Sequence, residues 1–168
     1  NAIDSVISGE VDKSFALIRP PGHHAGVSNA AGFCLFNNVA IGAMHAISKH
    51  KMERILIVDW DLHHGNGTQA QFYEDPRVLY FSTHQYPYYP GTGAIEEIGR
   101  GKGVGYNINI PLRPGTDSAQ YVKIFKKIIY PVSIKFKPEL VLISAGFDPY
   151  YKDPLGGMKV TPTGFACL

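Results

Sequence analysis

The chain has 168 residues, 45% of them hydrophobic and 18% charged, with a formal net charge of +2 and two cysteines. That length allows one domain with a real core, the composition is globular rather than disordered, and a charge of +2 without a Lys/Arg run argues against direct nucleic-acid binding. Cys34 and Cys167 give no disulfide framework and point to a reducing compartment, cytoplasmic or, in a eukaryote, nuclear, while no apolar stretch approaches the length of a membrane span.

Taken in order, Asn1 to Ile7 reads as part of a helix, and Phe15-Ala16-Leu17-Ile18 as a short apolar strand. That strand is expected to lead into Arg19-Pro20-Pro21-Gly22-His23-His24-Ala25, a loop stiffened by two prolines. A helix follows from Asn37 to His50, with His45 and His50 read as solvent-facing. Ile55-Leu56-Ile57-Val58 is a β-branched run with no polar break, the pattern of a strand buried on both faces of a parallel sheet. Beyond it come a helix from Thr68 to Glu74 and a strand from Val78 to Ser82, with His84 just past its end. The segment from Gln85 to Gly105, rich in tyrosine, proline and glycine, is long for a connection and reads as a functional rim. Its Gly99, Gly101, Gly103 and Gly105 read as turns, because no helix opening with Lys-Ser/Thr follows them. A strand at Tyr106 to Ile110 precedes a helix from Asp117 to Ile129, where Ala119, Val122, Phe125 and Ile129 recur at helical spacing and Pro131 is expected to end or kink the run. Leu140 to Ile143 is a third buried apolar strand, and a further helix begins near Thr163. Strands alternating with helices predict an α/β domain with a mainly parallel sheet flanked by helices.

The chemistry gathers where strands end. In Asp59-Trp60-Asp61-Leu62-His63-His64-Gly65-Asn66-Gly67, a period of two puts Asp59, Asp61 and His63 on one face and Trp60 and Leu62 on the other. Burying two carboxylates that close costs several kcal/mol unless a cation or hydrogen bonds compensate, and a divalent metal is the simplest compensation. The alternative is that Asp59 and Asp61 cap the helix that follows. His23 and His24 suit acid and base work, since imidazole titrates near neutral pH, although two adjacent histidines are equally a solvated surface feature. The third strand runs out through Ser144-Ala145-Gly146-Phe147 to Asp148 and Pro149. Open α/β sheets bind ligands at the carboxyl ends of their strands, so the three segments are placed to converge on one crevice.

These segments, together with Gly32-Phe33-Cys34-Leu35-Phe36-Asn37-Asn38 and Tyr88-Tyr89-Pro90-Gly91-Thr92-Gly93, resemble the zinc-dependent histone deacetylase family and its bacterial, archaeal and acetylpolyamine deacetylase relatives. Trp60 and Asn66 look more like the class II branch. The resemblance implies the arginase/deacetylase fold, here incomplete, with residues 1–168 as the central part of one catalytic domain cut at both ends. It implies that Asp61, His63 and Asp148 ligate one zinc ion, that His23 and His24 handle protons with Asp59 orienting His23, and that Asn66 faces His24. Asn66 stands where class I members carry an aspartate, so His24 is expected to hold its proton less tightly and to be the general base. Phe33 and Tyr89 resemble the aromatic pair around the substrate's aliphatic stem, with the Gly32 carbonyl accepting the amide N–H. A potassium ion is implied beside the zinc, near Asp59, Asp61, His63, Ser82 and Thr83. The family's oxyanion tyrosine, from a Gly-Gly-Tyr motif, is not placed: Gly156-Gly157 is followed by Met158.

The implied reaction is hydrolysis of an acetylated amine, acetyl-lysine in a histone or other protein or an acetylpolyamine, to acetate and free amine. Two alternatives stand beside it. One is a non-catalytic binding module on the same fold. The other is a binuclear manganese ureohydrolase of the arginase type, whose bridging aspartate, four residues after the first ligand, is here Gly65.

Overall fold

The structure is a computed structural model and describes residues 1–168. Its centre is a four-stranded parallel sheet in the order β3-β2-β1-β4, formed by β1 (Ile55–Asp59), β2 (Val78–Gln85), β3 (Asn107–Leu112) and β4 (Leu140–Ser144). β1 is entirely buried between β2 and β4, with Asp59 level with Ser82 on one side and Ser144 on the other. Alternate residues of β1 feed two cores. Ile55 and Ile57 pack with Ala40, Ala43, Ala46 and Ile47 of α2 (Asn38–His50), while Leu56 and Val58 pack with Tyr121, Phe125 and Ile129 on the opposite face. Each face therefore carries a helical layer, as a parallel sheet requires.

The chain runs outward from β1 through α3 (Asn66–Phe72) to β2 and β3, then crosses back to place β4 on β1's free side. The strand order reverses between β1 and β4, and a reversal leaves a crevice at the carboxyl ends of the two strands. Asp59, Asp61 and His63 leave β1 at that point, and Asp148 leaves β4.

Helix ends follow local chemistry. Asn37 caps α2 by accepting a hydrogen bond from the Ala40 N–H at 3.1 Å. Asp117 and Gln120 form a reciprocal capping box at the start of α4 (Ser118–Ile124). The short helices α1 (Ala2–Ile7) and α6 (Pro162–Phe165) complete the set with α5 (Tyr130–Phe136).

Several sequence expectations need correction. Phe15 to Ile18 is not a strand: no ladder partner lies beside it, and Phe15 and Leu17 are 70% and 87% exposed. β4 is buried on one face only, since it is a sheet edge and Val141 and Ile143 stand half exposed. Pro131 does not end its helix. Phe125–Ile129 winds as a π-helix between α4 and α5, so the Tyr130 N–H bonds the Phe125 carbonyl five residues back. The widened turn just ahead of the ring carries the helix past a residue that has no N–H of its own. β2 extends to Gln85, so His84 lies within the strand. α3 begins at Asn66, two residues before the expected start, and β3 runs from Asn107 to Leu112.

Candidate metal and acid–base site

The crevice floor is Asp59, wholly buried at the end of β1. Its Oδ2 accepts from His23 Nδ1 at 3.0 Å and from the Tyr80 hydroxyl at 3.2 Å, and its Oδ1 accepts from the Asp61 N–H at 3.2 Å. These bonds compensate the buried charge. Gly65 is required here, because a Cβ on it would lie 2.5 Å from Asp59 Oδ2 and against the Tyr80 hydroxyl.

Above this floor three side chains converge. His63 Nδ1 lies 3.0 Å from Asp61 Oδ1 and 2.9 Å from Asp148 Oδ2, and the three donor atoms sit within 4.8 Å of one another. Backbone amides orient both carboxylates: the His63 N–H donates to Asp61 at 2.8 Å and the Leu62 N–H to Asp148 at 2.8 Å. Two oxygens and one nitrogen directed at one point are a donor set that zinc accepts with a position left open. Hydrogen bonds donated to Asp148 and Asp61 push the His63 imidazole up to about 10, so the cluster favours positive charge at this point. Burial opposes the charge on Asp61, but His63 and His23 outweigh it and keep its pKa below the ordinary value.

His23 and His24 stand beside the cluster with ring centroids 4.1 Å apart, tilted by 47°. Their loop is tied to α3, where the Gly67 and Thr68 N–H groups both donate to the His23 carbonyl. Burial works against charge on His23, yet the Asp59 charge and hydrogen bond, reinforced by Asp61 and Asp148, hold it up at about 9. For His24, burial and then the neighbouring His23 charge pull it down to about 4. His24 Nδ1 lies 2.8 Å from Asn66 Oδ1. An amide oxygen only accepts, so Nδ1 carries the hydrogen and the neutral ring keeps Nε2 as its free lone pair.

The loop residues are placed around this centre. Gly32 has φ of +51°, and a Cβ there would lie 2.7 Å from His24 Cγ. Its carbonyl accepts from Cys34 Sγ at 3.3 Å, leaving a second lone pair. Phe33 is 93% exposed and makes no packed wall with Tyr89, whose ring meets His24 edge-on at 5.1 Å. Ser82 and Thr83 are buried beneath the site. Ser82 Oγ pairs with His84 Nδ1 at 2.9 Å, and Thr83 Oγ1 has no hydrogen-bond partner. Met158, which follows the Gly-Gly pair, is buried in the core on the α4 side.

Three groups were not singled out from the sequence. Tyr80 braces Asp59, and its spacing from Ser82 and His84, two and four residues on in an apolar strand, is the signal that marks it. Tyr88 stacks on His63 at 5.5 Å and donates to the Leu155 carbonyl. His64 is buried against His84 at 4.8 Å and pairs with Thr92 and Gln69, so it anchors the rim from behind. The rim from Gln85 to Gly105 is thus fastened at Thr92 by His64 and at the Gly93 carbonyl by His84. Gly99, Gly101 and Gly105 have positive φ, in keeping with turns.

A family model described as "Histone deacetylase domain" matches residues 1–168. A "Probable deacetylase" of Archaeoglobus fulgidus is 51% identical over 165 residues, covering 98% of this chain and 46% of that protein. The human "Polyamine deacetylase HDAC10" is 49% identical over 173 residues, covering 99% and 26%, and the Candida albicans "Histone deacetylase HDA1" is 49% identical over 175 residues, covering 99% and 21%. The chain thus spans less than half the length of these relatives. Among solved structures, the HDA15 HD domain superposes with a TM-score of 0.95 at 46% identity, over 98% of this chain and 49% of that one. The parallel sheet with its flanking helices is the arginase/deacetylase α/β fold.

Proposed function

Because this chain belongs to the histone deacetylase family, we propose that it carries the metal and acid–base half of an amide hydrolase that removes acetyl groups from primary amines. The observation that carries the reading is the convergence of Asp61, His63 and Asp148 donor atoms within 4.8 Å, beside two histidines with opposite proton affinities. Asp61, His63 and Asp148 hold one zinc ion. Zinc supplies Lewis acidity there, polarising an amide carbonyl and acidifying water.

The rest is done by the chain's own side chains. His24, with Nδ1 tied to Asn66, presents Nε2 to take a proton from water. His23, held cationic by Asp59, places positive charge beside the developing oxyanion. The Gly32 carbonyl accepts the substrate N–H, while Phe33 and Tyr89 flank the methylenes of the stem, burying them without adding charge. Potassium is assigned to Asp59, Asp61, His63, Ser82 and Thr83, supported by the unpartnered Thr83 hydroxyl. The substrate is acetyl-lysine in a protein or an acetylpolyamine, in line with relatives named for histones and for polyamines. One zinc is favoured over a metal pair because the Gly65 position, hard against Asp59 and Tyr80, has no room for a bridging carboxylate.

The test is zinc content after exhaustive dialysis, together with acetate release from an acetyl-lysine peptide and from N-acetylspermidine. Asp148→Ala should lose the tightly held zinc equivalent and any turnover. Wild-type zinc retention in that variant would overturn the assignment.

A further inference from the structure

At the opposite pole of the sheet from the crevice, near where α2 delivers the chain to the start of β1, a second cluster joins α1 to α2. His45 and His50 were read from the sequence as solvent-facing, but both rings turn onto Asp4. His45 Nε2 lies 2.9 Å and His50 Nε2 2.6 Å from the same oxygen, Asp4 Oδ1, with Lys49 Nζ at 3.0 Å from it too. The imidazoles meet edge to face with centroids 5.5 Å apart. One carboxylate oxygen thus receives three cationic or N–H groups. One donor atom from each of Asp4, His45 and His50 lies within 4.8 Å of the others, the same limit met by Asp61, His63 and Asp148, and an ion would take the place of the hydrogens now shared with Asp4.

We propose that Asp4, His45 and His50 form a second divalent-metal site, structural in role, which takes zinc or a similar borderline ion and clips α1 to the end of α2. Two imidazoles and a carboxylate are donors suited to zinc, cobalt, nickel and copper rather than to magnesium or calcium. Tetrahedral zinc with bonds near 2.0 Å separates its donors by about 3.3 Å, so Asp4 needs to retreat by only about half an ångström. Its side chain is 31% exposed and can do so, and those of His45 and His50, 37% and 21% exposed, leave the position open to solvent ions. Lys49 is the competitor. Its ammonium must leave Asp4 for the ion to bind, which it can because it is 58% exposed and flexible, and its nearby charge makes this the weaker of the two sites. A bond network from α1 to α2 across 41 to 46 residues of chain would shorten a long loop, the situation in which a clip constrains the unfolded chain most.

The experiment is a Zn²⁺ titration of the chelator-stripped protein against a chromophoric competitor, with long-range ¹H–¹⁵N spectra of the histidine rings. The expected result is two equivalents in the wild type, one in His45→Ala/His50→Ala, and one in His63→Ala/Asp148→Ala. In the wild type, the second equivalent should shift the His45 and His50 Nε2 resonances. Two equivalents in the His45→Ala/His50→Ala variant would overturn the proposal. So would wild-type His45 and His50 resonances that do not move at saturation, a readout that needs no variant to fold. The site is independent of the deacetylase reading, because His63→Ala/Asp148→Ala separates the two.

Discussion

Replacing Gly146 by alanine tests how tightly the proposed metal cluster of Asp61, His63 and Asp148 is built. Gly146 has no positive φ, so its backbone accepts any residue and only space matters. A Cβ there would lie 2.7 Å from Asp61 Cβ and closer still to the Asp61 carboxylate. Ordinary contact begins at 3.4 Å, so Asp61 Cβ must retreat by 3.4 − 2.7, or about 0.7 Å, and its carboxylate by more. Metal sites tolerate ligand displacements of about 0.2 Å. Gly146→Ala should therefore lower zinc affinity by about 10- to 100-fold, equivalent to about 1.4–2.7 kcal/mol. Overpacking itself costs about 1–3 kcal/mol, so the melting temperature measured in chelator should fall by several degrees while the cooperative transition persists. Affinity is read by competition with a chromophoric chelator. A variant that folds and binds zinc within about threefold of wild type, under 1 kcal/mol, would refute the claim that Gly146 and Asp61 are in contact.

Asn66→Asp puts a carboxylate 2.8 Å from His24 Nδ1 and should raise the His24 pKa by about 1–3 units; an unmoved ring titration in NMR would remove Asn66 from the account of His24. Tyr80→Phe deletes the hydroxyl bonds to Asp59 and the Gly65 carbonyl and should cost about 1–3 kcal/mol; equal urea midpoints would show that Asp59 does not need them. Acid should destabilise the fold through His64, which burial and then His84 push down to about 3. Its unfolded pKa is near 6.5, so the unfolded chain binds the extra proton between pH 6.5 and 3, and stability is full above that window and falls as pH drops into it. The loss approaches about 1.4 kcal/mol per pH unit within the window. His23, whose value is raised, is protonated in both states well below pH 6.5 and adds no slope there, while His24, pulled down to about 4, adds to the loss in the same direction. Urea unfolding at pH 6.5 and 4.5 should show a shallower dependence in His64→Gln, and an identical slope would exclude His64 as the source.

The β1 region was legible because a period of two leaves no freedom: once Ile55 to Val58 is a buried strand, Asp59, Asp61 and His63 must share a face. Where the reading failed, the missing information was tertiary. Phe15 to Ile18 has strand composition, but a strand exists only against a ladder partner. Pro131 reads as an end or a kink, and the wide turn from Phe125 to Ile129 lets the helix pass it distorted rather than broken. His45 and His50, five apart, fall on different sides of a regular helix and meet only because Asp4 reaches them from across 41 residues of chain. Phe33 was assigned by resemblance, and its exposed ring makes a wall only once something lies against it.

β1 and β4 are adjacent in parallel register, and the two halves of the donor cluster leave from their ends, Asp61 and His63 from one and Asp148 from the other. A cation gripped by all three would act as a rivet through that single seam of the sheet. Within the described residues the pairing with β1 is what places Asp148 beside Asp61 and His63. Parting of β1 and β4 would pull Asp148 away, so the residence time of a bound ion and the hydrogen-exchange protection of the Leu140–Ser144 amides should rise and fall together.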